Sequence, residues 1–172
     1  MYRPQIEAAA IAHGLDSLLV QAMVKVESNY LQFALNPEPV YRYFWNVRDH
    51  APFRPVTQNE LKSKYPPADF PCLAGDPDQE WWSQQTSWGL LQVMGAVARE
   101  RGFREPYLPA LCDVDMNLQI GCEHLRWLFA RAAGEVEKAV GAYNAGLGGW
   151  DSAAGKRYRL KVFAALEQVR AE

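Results

Sequence analysis

The chain has 172 residues, enough for one domain with a sizeable core, and 49% of them are hydrophobic, which excludes a disordered polymer. A formal net charge of −2 supplies no basic field to hold nucleic acid or an anionic membrane. No apolar run approaches the roughly 18 residues that stable membrane insertion needs.

Arg3 to His13 reads as a short helix, with Pro4 in its first turn, Ile6, Ala9, Ala10 and His13 on one face, and Gly14 at its end. Asp16 or Ser17 caps the next helix. There Leu15, Leu18, Leu19, Ala22, Met23, Val26 and Tyr30 recur at three- and four-residue steps, the period of a helix face packed into a core. Glu27 lies at the edge of that stripe, one turn from the helix end. A carboxyl that loses water on one side holds its proton more tightly, which is the tuning a general acid needs. The plain alternative is a solvated last-turn residue paired with Lys25 or a neighbour.

Between Asn36 and Trp82 the character changes. Seven of the eleven prolines fall from Pro37 to Pro71, and Pro77 follows. An irregular insertion is expected, with a short helix near Gln58 to Lys64 and too few apolar periods for a core of its own. The aromatic run Val40 to Trp45 fits a strand or a helical turn, and His50 has no evident partner. Gly89 then breaks the pattern, and Val93 to Arg101 is helical up to Gly102. Asp113 or Asp115 caps a long helix with Leu118, Cys122, Leu125 and Phe129 on one face, widened by Met116, Ile120 and Trp127, and with His124 at its polar edge. Val136, Ala139, Val140 and Tyr143 mark another helix, ended by Asn144 and Gly146. A last one runs from about Ala153 with Tyr158, Val162, Phe163, Leu166 and Val169 inward. The sum is a mainly α chain of six or so helices with little strand. The cysteines, Cys72, Cys112 and Cys122, read as free thiols of a reducing compartment, with a Cys112–Cys122 pair as the less favoured case. Cys122 and His124 have no second ligand pair nearby, so no metal site is expected.

Three stretches put polar groups among apolar ones: Glu27-Ser28, Gly89-Leu90-Leu91-Gln92, and Ala142-Tyr143-Asn144 leading to Gly146. Singly, Gln92 reads as a helix-start residue, Tyr143 as a core ring with a wet hydroxyl, and Asn144 as a C-cap. In this order, with Tyr158 in the final helix, they resemble the lysozyme-like lytic transglycosylases of the soluble-lytic-transglycosylase (SLT) type. Val93-Met94, Ala98-Arg99, Gly102, Asp115-x-Asn117-Leu118, Gly121 and Leu125 extend the resemblance, and Ser83 stands where that family often has a serine. It covers about residues 9–36 and 83–165. Leu91 departs from the family's Met, a change of similar volume. The long insertion between the first two motifs leaves the Ser83 match the weakest.

The resemblance implies a lysozyme-like α-helical domain over residues 1–172, with a long irregular insertion at about 36–82. It implies cleavage of the β-1,4 bond between N-acetylmuramic acid and N-acetylglucosamine of peptidoglycan glycan strands, with formation of 1,6-anhydromuramic acid ends. Glu27 is then the catalytic acid and base, with Ser28, Ser83, Gln92, Tyr143, Asn144 and Tyr158 orienting it or binding sugar, and no metal or cofactor. Insertion rings, among them Tyr41, Tyr43, Trp45, Trp81 and Trp82, are expected to wall the cleft, with the alternative that they only cover the core. The insertion and the lack of a secretory signal in the first residues look most like phage or prophage members, made in the cytoplasm and acting on the wall in the periplasm. Two alternatives stand beside this reading. One is a goose-type muramidase that hydrolyses the same bond with an insertion acid, such as Glu80, as base. The other is a non-catalytic wall-binding virion protein.

Overall fold

The computed structural model describes residues 2–171. Its helices are α1 (Arg3–Ala12), α2 (Ser17–Ser28), α3 (Gln58–Lys62), α4 (Pro77–Gln84), α5 (Gly95–Glu100), α6 (Val114–Arg131), α7 (Val136–Ala145) and α8 (Ala153–Arg170). No helix among the described residues is long and apolar enough to cross a membrane.

The period-3.6 stripes determine the core. Leu19, Val20, Ala22, Met23 and Val24 of α2 are buried, and α8 packs on both α2 and α7 through Tyr158, Val162, Leu166 and Val169. Each large side chain removed from water here contributes about 1.5–3 kcal/mol. Asp16 caps α2 by accepting from the Leu18 and Leu19 amides. Asp113, not Asp115, caps α6 by accepting from the Met116 amide. Met116 is exposed and does not widen the apolar surface of that helix. His13 ends α1 as expected and meets Gln119 and Glu123 of α6 at 2.9 and 3.2 Å. The three cysteines are free.

Strands are short. A three-stranded antiparallel sheet runs in the order β1 (Leu35–Pro37), β4 (Thr86–Trp88), β5 (Val93–Met94), so Val93 and Met94, expected to be helical, extend a sheet instead. The insertion holds a two-stranded ribbon of β2 (Trp45–Asn46) and β3 (Ala51–Pro52). It also has a small core, contrary to the reading of its periodicity. Phe44 stacks on Trp81 with ring centroids 4.0 Å apart, and Phe70 meets both rings edge-on. Phe53, Val56 and Leu61 pack around them.

A buried polar network ties this unit to the helical body. Arg99 of α5 donates from Nε and Nη2 to the two oxygens of Glu80 on α4, at 2.9 and 2.7 Å. Its remaining donors reach the carbonyls of Phe103, Glu105 and Pro106. Gln84 donates to Glu80 and to the Trp45 carbonyl, and accepts from the Trp45 amide. His50, which showed no partner in the sequence, meets Arg104. The two ends of the insertion are therefore held beside the end of α2 and the start of the Gly89 turn.

Candidate active site

Glu27 sits in the last turn of α2, where the chain turns away through Asn29 and Tyr30, both with positive φ. The Tyr158 hydroxyl, 131 residues further on in α8, donates a 2.5 Å hydrogen bond to Glu27 Oε1. Burial pushes the Glu27 pKa up to about 7; the Tyr158 hydrogen bond and Lys161 pull it down, and the nearby Glu38 charge pushes it up. Desolvation dominates, as it does wherever a carboxyl is taken from water without a cation at contact distance. The result is a carboxyl that is half protonated near neutrality and able to give or take a proton.

The turn that carries Gln92 is built by one buried amide. Asn117 of α6 donates to the carbonyls of Trp88 and Leu111 at 2.7 and 2.9 Å, and accepts from the Leu91 amide at 2.8 Å. Gly89 has φ +69°, and a Cβ there would lie 2.4 Å from the Asn117 side chain, so only glycine fits. Gln92 itself has φ +45°, an uncommon conformation for a side-chain-bearing residue. Its amide holds that shape by donating to the carbonyls of Ala34 and Gly89 at 3.0 and 2.9 Å. The Tyr143 hydroxyl donates to the Leu91 carbonyl at 2.9 Å, and its ring stacks near that of Tyr158 with centroids 6.5 Å apart.

These groups open on a cleft of about 680 Å³. Glu27, Gln92, Val93, Met94 and Val97 line it from the α2 end and the Gly89 turn. Asn36, Glu38, Tyr41, Tyr43 and Ser87 contribute from the start of the insertion and the sheet, and His124, Trp127, Tyr143, Asn144 and Leu147 from α6, α7 and beyond. A larger groove of about 830 Å³ lies elsewhere, between the α1–α2 turn, α6 and α8. It lacks a carboxyl held like Glu27: Asp16 caps α2, and Glu167 binds Arg170.

Of the residues singled out from sequence, Glu27, Gln92, Tyr143 and Asn144 line the cleft, and Tyr158 reaches it through Glu27. Asn144 is exposed and does not cap α7; Gly146 takes that position. Ser28 is buried one residue beyond Glu27, its hydroxyl bonded to the Val24 carbonyl. Ser83 is buried in α4, where it accepts from the Gln79 side chain and gives its carbonyl to Trp88 Nε1, and it does not line the cleft. Trp81 is wholly buried in the core of the insertion, and Trp82 and Trp45 do not line the cleft either; of the expected wall, Tyr41 and Tyr43 remain. Glu80, held by Arg99, is not available as a base. The sequence reading missed Ser87 and Trp127 as cleft residues and placed His124 at a polar edge. It did not single out Glu38 among the acids of the insertion. Ser87 stands two residues before Gly89, which is the one signal that pointed to it. No group of three or more His, Cys, Asp or Glu side chains suited to a metal occurs among the described residues.

The chain is thus mainly helical, with a desolvated glutamate at a helix end in a cleft that Glu38 also lines. The sequence matches the Transglycosylase SLT domain over residues 4–164, and the chain belongs to that family. Among solved structures it is similar to an inactive Glu-to-Gln mutant of the lytic transglycosylase Slt from Pseudomonas aeruginosa, at 16% identity and a TM-score of 0.63. That match covers 99% of this chain but 24% of the other, so the chain corresponds to about a quarter of that protein. No curated protein matches it.

Proposed function

We propose that the protein is a lytic transglycosylase that cleaves the β-1,4 bond between N-acetylmuramic acid and N-acetylglucosamine in peptidoglycan and leaves 1,6-anhydromuramic acid ends. The observation that carries this reading is Glu27, a carboxyl with a pKa near 7 beneath a cleft and hydrogen-bonded by Tyr158. Protonated Glu27 gives its proton to the glycosidic oxygen as the bond to C1 breaks. The 2-acetamido carbonyl of the muramic acid stabilises the positive charge that develops at C1. Glu27, now ionised and held by the Tyr158 hydroxyl, takes the proton of the same sugar's C6 hydroxyl as that oxygen bonds to C1. The proton returns to Glu27 and no water is consumed. One group can serve both steps because its pKa lies near the working pH.

The neighbouring side chains divide the remaining work. Gln92 and Tyr143 fix the Gly89 turn against the cleft, Ser28 steadies the end of α2, and exposed Asn144 is placed to meet sugar. Ser83 supports the fold from α4. Tyr41 and Tyr43 give the start of the insertion a flat apolar face, consistent with one wall for a glycan strand. This reading puts the protein's work at the bacterial cell wall.

Glu38 favours a second reading. It lines the same cleft, lies close enough to raise the Glu27 pKa, and faces the Ser87 hydroxyl at 3.5 Å. Were Glu38 to activate a water, the product would be a hydrolysed, reducing end. Release of soluble fragments from purified peptidoglycan, by the native protein and by Glu27→Gln, tests whether the cleft is catalytic at all. Release by the native protein and none by a folded variant whose thermal transition is no lower than the native one is expected. Equal release by both would place the acid elsewhere, and none by either would leave a binding protein.

A further inference from the structure

Resting on the sugar-cleft reading above, we infer that His124 is a neutral hydrogen-bond donor that recognises the acetamido carbonyl of a bound N-acetylhexosamine. Trp127 and Leu128 beside it receive the acetamido methyl group. His124 lines the cleft from α6, together with Trp127, Leu128 and Ala142. Its Nδ1 is enclosed and has no hydrogen-bond partner, and Nε2 has none among the described residues. Burial, helped by Arg101, holds the imidazole pKa down to about 3, so the ring is uncharged at any pH near neutrality.

A neutral imidazole carries one N–H and one bare nitrogen. An enclosed N–H without an acceptor is rarer in folded proteins than an enclosed acceptor without a donor. The proton therefore belongs on Nε2, the nitrogen that is not enclosed. The ring is fixed: it stacks on Trp127 with centroids 6.0 Å apart and meets Tyr143 at 5.4 Å. Trp127 is fixed in turn beneath the guanidinium groups of Arg101 and Arg131, at 4.1 and 4.8 Å from its ring centre. The Nε2 N–H, open to the cleft and without a protein partner among the described residues, is free to exchange water for an acceptor on a bound ligand. A carboxylate is better matched by a charged donor. An amide carbonyl with a methyl group attached suits a neutral N–H beside apolar side chains, and both sugars of peptidoglycan carry one at C2.

Tri-N-acetylchitotriose is the probe, with the glucose trimer, which has hydroxyls in place of the acetamido groups, as its control. His124→Phe keeps the flat ring and removes the nitrogens; His124→Gln restores an N–H. His124→Phe is expected to weaken binding of the acetylated trimer about five- to tenfold, the effect of one hydrogen bond, and to leave the glucose trimer unchanged. His124→Gln is expected to recover most of that loss. In the native protein, nitrogen-15 spectra of the imidazoles should show His124 protonated on Nε2, with that signal shifted by saturating acetylated trimer. This spectrum decides the matter if His124→Phe does not fold. Equal affinities of folded native and Phe forms, or an imidazole signal indifferent to saturation, would overturn the inference. Peptidoglycan cleavage by the same preparation separates the two readings. Cleavage with a silent His124 removes this inference alone, and a responsive His124 without cleavage removes the enzymatic reading alone.

Discussion

In the proposed mechanism, Glu27 is where stability and activity oppose each other. Its carboxyl is protonated in the folded state up to about pH 7 but ionises from 4.5 in an unfolded chain. Between those values the folded state binds the extra proton. The contribution of Glu27 to stability is therefore fully present below about pH 4.5 and is lost as pH rises through 7. Glu27→Gln removes the cost of an ionised, desolvated carboxylate. It should be more stable than the native protein at pH 8 by up to about 3 kcal/mol, with the gap closing by pH 5, while its activity falls at least about a thousandfold. Thermal unfolding at the two pH values checks the first part. A constant gap would mean that Glu27 is not desolvated.

The proposed cleavage needs Glu27 protonated, so the rate should decline above about pH 7. The Tyr158 hydrogen bond lowers the Glu27 pKa, so Tyr158→Phe should carry that decline to higher pH and reduce turnover about 10- to 100-fold. Glu38 acts the other way. Glu38→Gln removes a like charge and should carry the decline to lower pH, with activity kept within about tenfold if Glu38 is not a base. Loss of all activity in Glu38→Gln would instead support hydrolysis.

The elements around the site depend on buried polar side chains more than on strand pairing. Asn117→Ala removes the donor to the carbonyls of Trp88 and Leu111 and the acceptor of the Leu91 amide, and should cost about 3 kcal/mol in denaturant unfolding. Glu80→Ala strands the buried Arg99 guanidinium and should cost about 3–5 kcal/mol. The apolar double replacement Glu80→Leu with Arg99→Met should recover most of it, because neither charge is then left unpaired. A double variant as unstable as Glu80→Ala would show that shape, not charge, is what the pair supplies. The helices were legible because an apolar stripe at 3.6-residue spacing is written into α2, α6, α7 and α8. Neither the Glu80–Arg99 pair nor the insertion's core was legible. Phe44, Phe70 and Trp81 come from distant points of a proline-rich stretch, and such a cluster leaves no period in the sequence. The adjacent Trp81 and Trp82 show the same limit, since one is wholly buried and the other 42% exposed.

At the scale of the molecule, the cleft exists because two halves of the chain meet. α2 and α8 bring Glu27 to Tyr158, and the insertion returns to the body at α4 so that Tyr41 and Tyr43 face the residues of α6 and α7. Nothing in periodicity joins residues 131 apart; only the order of the motifs and their resemblance to a family did so. Glu38, the residue that keeps hydrolysis in contention, sits in an irregular segment where no pattern marks which way a side chain faces. The choice between the two chemistries therefore turns on the nucleophile at C1. Mass analysis of fragments from purified peptidoglycan, without borohydride reduction, reads it directly. The account predicts muropeptides ending in 1,6-anhydromuramic acid, lighter by one water and unchanged by later reduction. Fragments that carry the extra water and accept borohydride would contradict it.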